Sequence, residues 1–187
     1  MRPMGLMQTQ ALLARLFTDA DLRRAFFDDP QRTLRGFDLS EDEATALAAL
    51  DKGEVEEFAR CLLGKRALDA RKVLPLTAKA LGPDFDRLSR EAIVGPPPPG
   101  RHRADAAALA RLLTSRKLSP GWIGDLARFE MAFVAAARPG VVLRRFAWPV
   151  NDVTRQLLAG APVDVRPRRR FGIWLRAPGR KLYWRMF

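Results

Sequence analysis

The sequence predicts an α+β fold: an N-terminal and central helical bundle followed by a small C-terminal antiparallel β-sheet. Three observations predict it. Apolar residues recur at helical spacing from Leu12 to Val134, between recognisable caps and stops. The pattern changes at Gly140, after which β-branched and aromatic residues alternate with polar ones. The segment Ala177-Pro178-Gly179-Arg180 is a turn signal between two such runs.

The helices follow in order. Gln10–Phe17 places Leu12, Leu13, Leu16 and Phe17 on one stripe. Thr18 and Asp21 read as a capping box before Leu22, Ala25 and Phe26, and Pro30 ends that helix. Ser40 and Glu43 form a second capping box. Asp51-Lys52-Gly53 reads as a stop, and an amphipathic run extends from Glu54 to about Leu68. Cys61 sits in its apolar stripe, and burial is the expectation for this thiol. Pro75 kinks or restarts the next helix, because proline removes a backbone donor. Leu81-Gly82-Pro83 is a stop and a new start, and Asp84–Ile93 follows. Pro96–Pro99 and Gly100 make an extended connector. Helices over 104–113 and from Ser119-Pro120 to about Arg138 complete the bundle. Strands are expected over 141–150, 171–176 and 181–187, the last two as a C-terminal hairpin.

These features divide the 187 residues into an acidic helical module (1–60), a helical domain with a Pro-rich linker at 95–100 (61–137), and a basic sheet (138–187). Residues 1–60 carry 8 basic and 12 acidic side chains, and residues 138–187 carry 12 and 2. The net charge of +12 is therefore concentrated at the C-terminal end. Arg outnumbers Lys 27 to 6, a bias that a GC-rich genome also produces, so part of the charge reads as compositional. The run Arg166, Arg168, Arg169, Arg170 favours an anionic partner, because like charges this close repel.

Composition also excludes functions. One His and one Cys are too few for zinc or non-heme iron sites of three or four ligands, and His102 alone would have to serve any catalytic triad. No phosphate-cradling glycine loop is present. The chain reads as non-enzymatic, with no cofactor and no metal. No apolar run reaches the roughly 18 residues of a membrane span, and Gln8-Thr9-Gln10 interrupts any signal-peptide core. A bacterial cytoplasmic location is expected.

The arginines of the basic sheet lie beside Phe146, Trp148, Phe171, Trp174, Tyr183 and Trp184. Nucleic acid takes this mixture through phosphate contacts and stacking. An acidic peptide takes it by adding a strand to a sheet edge while Arg holds its carboxylates. Both readings stay open on the residues alone.

From Arg71 onward the chain resembles a known family. Leu74-Pro75-Leu76-Thr77-Ala78-Lys79-Ala80-Leu81-Gly82-Pro83-Asp84-Phe85 is similar to its "P-x-T…LG..F" helix pair. Pro97-Pro98 with His102 and Asp105 resembles its linker and following helix, and Trp122-Ile123-Gly124-Asp125-Leu126-Ala127-Arg128-Phe129-Glu130 its "DLARxE" helix. These are features of the partner proteins of multinuclear non-heme iron-dependent oxidative enzymes (MNIOs). That group includes the methanobactin partner subunit and a set labelled as DNA-binding domains. The resemblance covers roughly residues 60–187. It implies a heterodimer with a separate iron oxidase and engagement of the leader of a ribosomally made precursor peptide. Arg144, Arg145, Phe171, Trp174, Arg176 and Tyr183 are the expected peptide contacts, and Asp125, Arg128 and Glu130 the expected enzyme interface. Nucleic-acid binding through the same sheet is the second expectation.

Overall fold

The computed structural model describes residues 4–99, 102–116 and 118–187, so Gly100 of the expected linker lies outside the described residues. The α+β expectation holds: among the described residues ten helices precede, and in one case interrupt, a three-stranded antiparallel sheet.

Four short helices come first: α1 (Met4–Thr18), α2 (Ala20–Asp28), α3 (Pro30–Leu34) and α4 (Glu41–Ala48). Their caps explain their lengths. Asp19, rather than Thr18, caps α2 by accepting from the amides of Asp21 and Leu22. The Thr18 hydroxyl instead donates back to the Ala14 carbonyl. Asp29 caps α3 and Pro30 takes its first position, so this proline starts a helix as well as ending one. The Ser40–Glu43 capping box forms in both directions. Leu12, Leu16, Phe26, Leu34 and Leu47 close a first core against Val55.

Helix α5 (Lys52–Val73) is continuous through residue 60. Asp51 is its cap, accepting from the Glu54 amide, and does not act as a stop. The expected boundary at 60/61 therefore falls inside one helix, whose first half packs the acidic module and whose second half enters the central core. Cys61 is exposed, contrary to the burial expected for it.

The central core joins α5 to α6 (Pro75–Leu81), α7 (Asp84–Ala92), α8 (His102–Ser115) and α9 (Trp122–Ala135) around Leu74, Phe85, Leu109, Leu113 and Leu126. A buried ion pair ties it together. Arg66 on α5 donates to both Asp105 oxygens on α8, at 3.0 and 2.7 Å, and to the Gly95 carbonyl at the start of the linker. Gly124 brings α9 against α8 so closely that a Cβ there would meet the Leu113 carbonyl at 2.9 Å.

Strand β1 (Gly140–Phe146) is shorter than expected, because a tenth helix intervenes before β2 (Arg170–Arg176) and β3 (Tyr183–Met186). That helix, α10 (Val150–Leu158), buries Val150, Val153 and Leu157 beside α9 and α6. The strand order is β1-β2-β3, so β2 is central and β1 and β3 are edges.

Candidate functional site

The sheet packs one face on α9. Trp174 is fully buried there among Phe129, Phe133 and Phe146, with Trp184 stacked 6.4 Å away. Gly172 makes this possible: a Cβ at that position would meet the Trp174 ring at 2.6 Å. Side chains alternate across a strand, so Val142, Arg144 and Phe146 share this inner face with Gly172, Trp174, Arg176, Trp184 and Met186.

The opposite face is uncovered among the described residues. The register sets it out as three cross-strand rows: Val141–Leu175–Tyr183, Leu143–Ile173–Arg185, and Arg145–Phe171–Phe187. Val141 is 61% exposed, Leu143 48%, Tyr183 54% and Phe187 56%. Of the expected peptide contacts, Arg145, Phe171 and Tyr183 therefore share this face, Arg145 paired with Phe171 and Tyr183 paired with Leu175 four residues along β2. Trp174 belongs to the core and cannot touch a ligand on this face. Arg176 and Arg144 project from the inner side, Arg144 at the β1 edge.

The expected contacts left out Val141, Leu143, Ile173, Leu175 and Phe187, and Arg185 entered only as one of the cations of the basic sheet. A signal was present. The β2 sequence Arg170-Phe-Gly-Ile-Trp-Leu-Arg176 is apolar at every odd position, while its even positions hold two arginines, a glycine and the buried Trp174.

The open edges follow from the hydrogen-bond pattern. Phe171 and Phe187 exchange both backbone bonds, at 3.1 and 2.8 Å. Antiparallel ladders alternate, so Phe171, Ile173 and Leu175 turn their amides toward β3, and their neighbours turn toward β1. The amides of Val141, Leu143 and Arg145 then face outward from β1. Two contacts agree: the Leu143 carbonyl accepts from Arg144 Nη1 at 2.9 Å, and the Arg145 carbonyl from Arg128 Nη2 at 3.0 Å. Beside this edge lies a hollow of about 390 Å³ formed by Ala107, Ala110 and Arg111 on α8, Arg128 and Met131 on α9, and Arg144. Strand β3 also has a free edge, but it is four residues long and turns out only Trp184 and Met186.

The residues expected at an enzyme interface do other work. Asp125 is buried and accepts from the amides of Ala147 and Trp148, at 2.6 and 3.1 Å, and from Arg128. It anchors the chain where β1 leaves the sheet. Glu130 is buried and accepts from the amides of Leu76 and Thr77 and from the Thr77 hydroxyl, at 2.6–2.9 Å. It caps α6, whose first residue is a proline, and Thr77 donates to it instead of bonding back within its own helix. Burial pushes the Glu130 carboxyl above its ordinary pKa, against the opposing pull of those donors. Of the three, Arg128 alone reaches the surface, with its guanidinium over the Phe146 ring.

His102 opens α8 and is exposed. Among the described residues no three His, Cys, Asp or Glu side chains come close enough to hold a metal ion. No helix described is long and apolar enough to cross a membrane.

Comparison with known families places one stretch of the chain. Residues 43–115 match the family model described as "SCO6045-like, C-terminal domain". The match spans α4 to α8 and includes both Arg66 and Asp105, while α9, α10 and the sheet lie beyond it. The description names neither an activity nor a partner. No curated protein matches the chain.

Proposed function

We propose that this protein is a non-catalytic adaptor that captures an extended acidic peptide on the β1 edge and presents it to a separate enzyme. The observation that carries this reading is the outward-facing row of amides at Val141, Leu143 and Arg145, bordered by arginines and an apolar hollow. Backbone bonds to such an edge supply affinity, and pockets for alternate side chains supply specificity. Arg144 now holds an edge carbonyl. An incoming strand would take that carbonyl with its own amide and free the Arg144 guanidinium for a peptide carboxylate, a charge-assisted bond.

The resemblance to MNIO partner proteins specifies the rest of the proposal. The peptide is the leader of a ribosomally made precursor, the enzyme is a multinuclear iron oxidase, and the two protein chains work together in the cytoplasm in ribosomal peptide biosynthesis. This chain's own task is binding and orientation.

Co-expression with an iron oxidase of that kind and its precursor tests the reading. The two proteins should elute together at micromolar concentration, and a labelled leader should bind the complex. Leu143→Pro provides the sharper test. Its amide faces the open edge, so proline there costs no ladder bond, yet it removes the central donor. Leader affinity should fall at least about tenfold, near 1.4 kcal/mol, with the circular dichroism spectrum unchanged. Separate elution with and without precursor, or leader binding indifferent to Leu143→Pro, would refute the proposal. So would a short DNA duplex that outcompetes the leader with a steep salt dependence.

A further inference from the structure

The outer face of the sheet is the feature that capture of a strand leaves unexplained. A three-stranded sheet is about 10 Å across, from strand spacings near 4.8 Å, and one helix is about 10–12 Å wide with its side chains. The inner face obeys this match, since one helix, α9, lies on it. The outer face presents the same width of apolar surface to water, with Val141, Leu143, Ile173, Leu175 and Phe171 across its middle. An antiparallel sheet that turns one face to water ordinarily carries polar residues there, whereas this face is apolar through its centre, and exposed patches of this kind mark interaction surfaces.

Charge decides what the cover is. Arg145 and Arg185 stand on the face itself, Arg180 and Lys181 lie in the turn beside Tyr183, and exposed Arg166, Arg168 and Arg169 lead into β2. None of these forms an ion pair among the described residues. A second copy of this face would bring Arg145, Arg185 and their basic surroundings against the same set, with no Asp or Glu on any of the three strands to offset them, which disfavours self-association. The rings of this face, Tyr183 at one end and Phe171 with Phe187 at the other, are separated by the aliphatic Val141, Leu143, Ile173 and Leu175, whereas a single-strand nucleic-acid platform stacks successive bases on its rings.

We infer that the outer face of the sheet docks a single amphipathic helix of a partner protein, apolar along its contact stripe and flanked by Asp and Glu. The helix lies over β2, with its apolar stripe on Leu175, Ile173 and Phe171 and its acidic flanks toward Arg145 on one side and Arg185 on the other. This rests on the adaptor reading and gives it a second surface: the β1 edge takes the substrate strand, and the outer face takes the partner that carries the chemistry.

The probes are two stapled, fluorescein-labelled helices as long as α9, 14 residues. Both carry Leu at i, i+3, i+4 and i+7, one with Glu flanks and one with Lys flanks. Fluorescence anisotropy with the full chain should show the Glu-flanked helix binding at least tenfold tighter. Leu175→Ser and Arg185→Glu should each weaken it at least fivefold while leaving leader capture unchanged. Arg185 is fully outside the core, so its variant keeps the test valid should Leu175→Ser unfold. Equal binding of the two helices, or indifference to both variants, overturns the inference. A concentration-dependent dimer that disappears in Leu175→Ser also overturns it, because the cover is then a second copy. Wild-type protein that captures the leader but binds neither helix refutes this surface alone; wild-type protein that binds neither leader nor helix refutes the adaptor as well.

Discussion

Glu130 keeps a carboxylate where water scarcely reaches, because three donors at the start of α6 need an acceptor. Its pKa is raised by burial, so the folded state holds this proton more tightly than the unfolded chain does. Stability therefore falls as pH rises from the ordinary carboxylate range through the raised value. Glu130→Gln removes that titration. The melting-temperature difference between wild type and variant should shift in favour of the variant between pH 4 and pH 7, whatever the constant cost of the lost acceptor. Arg66 and Asp105 make a different case, a buried pair that is expensive to break singly. Asp105→Ala should cost about 3–5 kcal/mol in urea unfolding at neutral pH, since it leaves a guanidinium buried without its partner. Replacing both residues with Met and Leu should recover most of that loss.

At the scale of elements, the Ser40 capping box and the prolines were readable, while the caps at Asp19 and Asp51 and the residues that join elements were not. The Ser40 box rests on side chains three positions from the amides they serve, and the Pro75 restart and the Leu81-Gly82-Pro83 junction on the backbone preferences of their own prolines and glycine. Helix α10 was hidden because Val150 and Val153 look like a continuation of the strand, and only Asp152 in the first turn and Arg155 in the last hint at a helix. Asp125 and Glu130 were legible as a motif that fixes its helix against a neighbour, but the amides they hold were not, since these lie 22 and 54 residues away. Asp125→Ala should cost about 2–4 kcal/mol, because it orphans two amides and a guanidinium. Hydrogen exchange should rise first at Ala147 and Trp148. The Leu143→Pro experiment belongs to this scale too, because it separates a strand's ladder from its open edge.

At the scale of the molecule, two helical cores share α5, and a sheet closes one end of the second. The acidic module contacts the rest chiefly through α1 and α5. Removing residues 1–50 should therefore leave the central core and sheet protected from hydrogen exchange, while amides of 52–60 lose protection. Equal loss of protection throughout would show that the two cores fold as one unit.

The sequence by itself determined the fold class, the positions of most helices, the C-terminal hairpin and the concentration of positive charge, because each depends on periodicity or on neighbours a few residues apart. Tertiary structure decided which residues face outward. Trp174 went inside because Gly172 leaves room for its ring against α9, and Asp125 and Glu130 went inside because distant amides needed acceptors. The uncovered face exists because one helix covers one side of a three-stranded sheet, and no local pattern says which side that is.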